Sequence, residues 1–434
     1  MSNEEKIKQK EKKNTSPKNS IRNKNDKKLT IKETQNIMNR NLNSHFEPNC
    51  INLPLNKNIG IYGQNHPLIG LVNIGATDYM NATLQCLSNI EQLTNYFRNN
   101  SYVEHIVKFK PDSLAASYKR LIHNLWPSNN NHQIFNHNKS YAPYDFKNKI
   151  SKMNTLFEGI HANDSKDLLN FIITTLHEEL NKSKKNGDLH ENIASQIDEQ
   201  SKLNEFIENF TNENRSIISD LFYGVNETII ICSNCKIPKY NFSIDFCLRF
   251  PLEEVRKFKL DQLYKNNNNI MNQIEKNSKI KLFGGGVVDI KDCFDYYKKI
   301  EIFDGDNAIY CTTCNKQKDS TYQTLLFTLP NILIIILDRG KGNGKGIQFR
   351  VKLEFTELLD LNDYAKYGGK YELISVITHL GNSGGDGHFI ALCKSPIDKK
   401  WYRYNDSIVT KVYDFKNEVL NFGDAYILFY KKKN

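Results

Sequence analysis

Gly70–Leu87 reads GLVNIGATDYMNATLQCL. Its first half bears Gly70 and Gly75 and reads as a turn, and from Asp78 to Ile90 apolar residues recur at helical spacing. Asp78 therefore stands at the start of a helix, where a carboxylate suits both the cap position and the positive end of the helix dipole, and the expectation is that it caps. Ser165–Leu180 repeats the helical spacing, whereas Glu227–Cys232, Thr321–Leu337, Glu372–Thr378 and Phe389–Cys393 read as strands. Helices first and strands afterwards indicate an α+β protein with an antiparallel sheet.

The chain has 434 residues, 39% hydrophobic and 25% charged, enough for a large core with some chain left over. No apolar run is long enough to cross a bilayer, and the opening MSNEEKIKQKEKK lacks the apolar stretch of a secretory signal, so a cytoplasmic or nuclear location and no membrane partner are expected. The net charge of +10 is uneven. Residues 1–40 hold 12 Lys and Arg against 5 Asp and Glu, so they supply +7 of it. The remainder is close to neutral, which gives no composition signal for nucleic acid on the folded part. Residues 1–62, rich in Lys, Asn, Ser and Gln, are expected to be a disordered basic tail, with 63–434 forming the folded domain. Within it Lys257–Lys279 reads as a polar, mobile insertion.

Nine cysteines are too few and too scattered for a disulfide scaffold. Four of them form Cys232-Ser-Asn-Cys235 and Cys311-Thr-Thr-Cys314, two Cys-x2-Cys knuckles with the ligand set of one structural tetrahedral zinc. A redox-active pair ranks lower, because no thioredoxin-like βαβ pattern surrounds either knuckle. Cys50, Cys247, Cys293 and Cys393 are unpaired in spacing and read as structural.

At nearly every position Gly70–Leu87 resembles the cysteine box of ubiquitin-specific proteases, the papain-like deubiquitinases. The departure is at the nucleophile: the family places its cysteine between the residues matching Thr77 and Tyr79, and this chain has Asp78. In that family the helix start stabilises a thiolate, and Asn73 matches the side chain of the oxyanion hole. Near the C-terminus, YELISVITHLGNSGGDGHFIAL and WYRYNDSIVTKV resemble the family's histidine box. There His388, after Gly387, matches the general base, Asn405 the residue that orients it, and Asp406 an adjacent acidic position. LFYGVNETIIICSNC, DNAIYCTTC, LPNILIIILDRG and AYILFY resemble further family segments. HANDSKDLLNFIITTLHEEL, 161–180, resembles the helix lining the catalytic cleft, with Asp164 matching an acidic residue that engages the basic tail of ubiquitin; as a helix start, Asp164 reads equally as a cap. The resemblance covers about Pro67 to Tyr430. It implies a hand-like fold of thumb, palm and zinc-tipped fingers in which residues 232–314 include the fingers, with ubiquitin or ubiquitinated proteins as partners, Asp164 and Gly387 among the contacts, and one structural zinc.

A carboxylate is a poor nucleophile toward an unactivated amide, which is why acyl transfer uses Ser, Thr or Cys. The substitution therefore points to a ubiquitin-binding relative of the deubiquitinating thiol hydrolases that has lost hydrolysis. Cys86 lies too far along the same helix to replace the nucleophile. An active deubiquitinase is the alternative, motivated by Asn73, His388 and Asn405. A structural component of a splicing-type assembly comes third, because relatives of that kind lose the catalytic histidine.

Overall fold

The computed structural model describes residues 68–127, 140–183, 199–266, 287–339, 351–381, 387–422 and 424–433. The tail expected at 1–62 and the second half of the insertion expected at 257–279 lie outside the described residues. The first half of that insertion is not a loop: Lys257–Asn266 continues a helix that begins at Leu252. Leu252 and Val255 anchor this helix in a buried cluster, Arg256 pairs with Glu253 and Lys259 with Asp292, and its long polar side chains are good helix formers.

The centre of the fold is a sheet of eight strands. Seven run in the order Ile408–Lys411, Trp401–Asn405, Gly387–Lys394, Lys370–Gly381, Asp424–Lys432, Ile332–Asp338 and Leu248–Pro251, and Leu358–Asp360 pairs at the side of Lys370–Gly381. Every pairing is antiparallel except that of Leu248–Pro251 with Ile332–Asp338. The run ILIIILD at Ile332–Asp338 is apolar without alternation because both sheet faces are covered. Ile332, Ile334 and Ile336 enter the cluster shared with the helices, and Leu333, Ile335 and Leu337 the cluster on the other face.

The stretch Thr321–Leu337, expected as strand throughout, is two strands in two sheets, Ser320–Thr328 and Ile332–Asp338. Pro330, which has no amide hydrogen to donate to a ladder, lies at the crossing point. Ser320–Thr328 belongs to a second, five-stranded sheet with Gly224–Cys232, Pro238–Asp245, Ala365–Tyr367 and Glu301–Phe303. This sheet forms the fingers. Its far end carries the turn of the Gly224–Cys232/Pro238–Asp245 hairpin beside the small hairpin Ile309–Cys311/Lys316–Lys318.

On one face of the central sheet lie Glu91–Asn99, Ser101–Phe109, Leu114–Leu125, Tyr144–Met153 and Ser165–Leu180, the helical thumb. Asp78–Ser88 runs between thumb and palm, and every one of its residues is buried. Its polar side chains are therefore bonded: Gln85 Nε2 donates to the Ile69 carbonyl at 2.9 Å, Asn81 Nδ2 to the Leu71 carbonyl at 3.2 Å, and the Thr83 hydroxyl to the Tyr79 carbonyl at 2.8 Å. The first two bonds stitch the helix to the segment that enters it. That segment passes so close to the palm that a Cβ on Gly70 would lie 2.4 Å from the Ser407 carbonyl oxygen. Among the described residues no helix is long and apolar enough to cross a membrane.

Candidate active site

The cleft between thumb and palm brings five segments together. Asp78 is the first residue of its helix but not its cap: Thr77 occupies the cap position, without a side-chain cap bond. The expectation that Asp78 caps is therefore corrected. Its carboxylate turns across the cleft, where Oδ2 accepts the Phe389 backbone N–H at 2.7 Å and stands 3.3 Å from His388 Nδ1. That bond ties the helix start to the palm strand.

His388 is the second residue of Gly387–Lys394, and its Nε2 lies 2.6 Å from Oδ1 of Asn405, the last residue of Trp401–Asn405. The amide oxygen pairs with Nε2 as donor, which leaves Nδ1 turned toward the Asp78 carboxylate. Asp406 follows in a turn with φ +49°, a left-handed conformation that Asp tolerates better than most residues. Its Oδ2 is 3.9 Å from His388 Nε2 and accepts from Asn73 Nδ2 at 3.1 Å, while Oδ1 accepts from Asn81 Nδ2 at 2.8 Å.

Asn73 is held from both ends. Its Oδ1 accepts the amides of Gly75 at 3.2 Å and Thr77 at 3.0 Å across a turn in which Gly75 and Ala76 both have positive φ. Gly387 opens the strand that carries His388. A Cβ there would fall 1.9 Å from the His379 ring, so the position accepts no larger side chain without moving that ring.

Asp164 caps Ser165–Leu180 by accepting the Lys166 amide at 2.9 Å. Both its oxygens also accept the Tyr426 hydroxyl, at 2.6 and 2.8 Å, and its carboxylate pairs with the Lys166 ammonium. Burial, reinforced by Asp164, pushes the Tyr426 phenol up. Lys166, Tyr426, Asn81 and the Phe389 amide were not foreseen. Asn81 was findable, since it lies one turn after Asp78 on the same helix face; a backbone amide has no sequence signal.

Cys86 is fully buried, with its sulfur 3.9 Å from that of Cys393, and burial pushes its thiol up. It is unreactive as well as distant.

At the finger tips, Cys232, Cys235, Cys311 and Cys314 have all four sulfurs within 4.8 Å of one another. The Cys232–Cys314 and Cys235–Cys311 separations are 4.0 and 3.7 Å, against an edge of about 3.8 Å for a tetrahedron built with zinc–sulfur bonds of about 2.3 Å. Each knuckle is followed by a left-handed residue, Lys236 at φ +60° and Asn315 at φ +50°, which turns the chain back after the second cysteine. The donor set fits one tetrahedral metal ion.

Residues 69–430 match the family described as ubiquitin carboxyl-terminal hydrolase. Ubiquitin carboxyl-terminal hydrolase Usp2 of Drosophila melanogaster is 26% identical over 372 residues, which cover 84% of this chain and 35% of that protein. The human ubiquitin carboxyl-terminal hydrolase 2 is 25% identical over 371 residues, covering 84% and 55%. This chain thus spans about a third to about half of the length of these relatives. A solved structure of the SAGA DUB module, Ubp8/Sgf11/Sus1/Sgf73, bound to ubiquitin aldehyde is similar in fold, with a TM-score of 0.57 and 21% identity, covering 86% of this chain and 70% of that one. Another of that module bound to monoubiquitin gives 0.61 and 20%, covering 88% and 73%. The chain belongs to the ubiquitin carboxyl-terminal hydrolase family, in its ubiquitin-specific protease branch.

Proposed function

We propose that this protein binds ubiquitin joined to other proteins and does not cleave the bond. The observation that carries this is Asp78: the group at the helix start, facing the general-base position, is a carboxylate. Attack by a carboxylate on an amide would form an acid anhydride, far less stable than the amide, so the group cannot serve as a cysteine does. Loss of one member of a nucleophile–base unit removes on the order of 10⁶ in rate, and what survives is binding and the oxyanion environment. Asn73, His388 and Asn405 keep the cleft in shape around that carboxylate, so binding is retained while turnover is lost.

In this reading the fingers and palm hold the body of ubiquitin, and its C-terminal tail runs between thumb and palm past Asp164 and Gly387. Cys232, Cys235, Cys311 and Cys314 would hold one zinc, which supplies a cross-link between the two finger hairpins and takes no part in the cleft. The test combines titration and reactivity. The full chain should bind ubiquitin extended at its C-terminus by a peptide, and should form no adduct with ubiquitin carrying a thiol-reactive C-terminal electrophile. Failure to bind, or an adduct mapped to the cleft, would contradict the proposal.

The close His388–Asn405 contact favours a second reading, an active deubiquitinase. Turnover of a ubiquitin C-terminal ester or amide by the purified wild type would establish it.

A further inference from the structure

His388 is bracketed by two carboxylates. Asp78 Oδ2 stands 3.3 Å from Nδ1 and Asp406 Oδ2 3.9 Å from Nε2, and their side chains are only 10% and 18% exposed. Among the described residues, His388 is the one cationic side chain within ion-pair distance of either, so at most one positive charge offsets two negative ones. Three nearby N–H donors point to those same carboxylates. Phe389 N–H goes to Asp78, and an N–H of each of the Asn73 and Asn81 side-chain amides goes to Asp406. These donors would be drawn on by a bound anion, and the protein's own acidic groups have engaged them already.

We infer that the cleft selects by the charge at the ubiquitin C-terminus: it excludes free ubiquitin, which ends in a carboxylate, and accepts ubiquitin whose C-terminus is an amide or isopeptide. Asp78 is the specificity-determining residue. A terminal carboxylate brought against a largely buried carboxylate meets like-charge repulsion in a medium of low dielectric, where screening by water and salt is weak. An amide-linked terminus carries no charge there, and its N–H is a donor that a carboxylate oxygen can accept. The substitution that removes hydrolysis thereby also directs the site toward conjugates and away from the pool of free ubiquitin.

This inference rests on the ubiquitin-binding reading, and the experiment separates the two. Dissociation constants of the full chain are measured at neutral pH for free ubiquitin and for ubiquitin with a C-terminal carboxamide, using wild type, Asp78→Asn and Asp78→Ser. The wild type should bind the carboxamide about tenfold or more tightly than free ubiquitin. In Asp78→Asn, which keeps an acceptor oxygen for the Phe389 amide, the gap should close to within about twofold, through tighter binding of free ubiquitin. Asp78→Ser should close it likewise. Equal wild-type constants for two ligands that both bind would overturn the charge selection and leave ubiquitin binding standing. A gap that persists in both variants would overturn the role of Asp78. If neither ligand binds the wild type or either variant, the ubiquitin-binding reading fails and this inference with it.

Discussion

Asp78 is part of the structure as well as of the site, because its Oδ2 satisfies the Phe389 amide across the cleft. Asp78→Ala leaves that part-buried donor without its acceptor and should cost about 1–3 kcal/mol in urea unfolding, whereas Asp78→Asn should cost less than about 1 kcal/mol. Equal losses for the two would show that the carboxylate does not anchor the palm strand. A second residue-scale prediction concerns Lys166. Asp164, the residue expected to meet the basic ubiquitin tail, is engaged by the protein's own Lys166 and Tyr426. Lys166→Ala removes the competing cation, and ubiquitin affinity should rise about threefold to fivefold, the scale of a partly exposed ion pair. Unchanged or weaker binding in a titration would place Asp164 outside the ubiquitin contact. The positions Asn73, Asp78, His388, Asn405 and Asp406 were legible in sequence because each sits in a short, specific motif. Their hydrogen-bond partners were not, since Phe389 contributes a backbone group and Tyr426 comes from the last strand of the sheet.

Among the elements, the fingers were the most legible and the sheet boundaries the least. Two Cys-x2-Cys knuckles announce a candidate metal site by residue type alone, and the hairpins bring their four sulfurs within 4.8 Å of one another. The break at Pro330 was visible as a residue but not as a change of sheet, because the apolar run continues on both sides of it. Likewise the polar composition of Lys257–Lys279 concealed a helical turn sequence whose anchors, Leu252 and Val255, precede it. An apolar cluster within the fingers, Ile229, Ile231 and Tyr240, is separate from the two large clusters on the two faces of the palm sheet. Zinc should therefore stabilise the fingers without deciding whether the palm folds. The purified chain should carry one zinc per molecule. Its removal by a chelator should speed hydrogen exchange in 228–240 and 309–322 while Ile332–Asp338 stays protected. Absence of zinc, or exchange that changes equally everywhere, would contradict this.

For the molecule as a whole, the junction of thumb and fingers holds two strained carboxyls. Burial pushes Asp220 up to about 6, opposed by Lys182. Burial followed by the proximity of Glu199 pushes Glu227 up to about 7, opposed by Lys366. A carboxyl whose pKa is raised on folding keeps its proton longer folded than unfolded. Neither group affects stability below its ordinary carboxylate range, and stability falls as pH rises from there toward 6 to 7, remaining lower above. Asp220→Asn should therefore raise the Tm more at pH 8 than at pH 5, and an equal or smaller gain at pH 8 would show that Asp220 is not held against its charge.

On the proposed reading, the cleft keeps Asn73, His388 and Asn405 and departs from a hydrolytic one at Asp78. The direct test is hydrolysis of ubiquitin carrying a fluorogenic C-terminal amide, comparing wild type with Asp78→Cys under reducing conditions. The prediction is an inert wild type and a variant whose turnover rises well above it, because His388, Asn405 and Asn73 already surround the position. Wild-type turnover matching that of the variant would contradict the account, and so would a variant that binds the substrate yet stays inert.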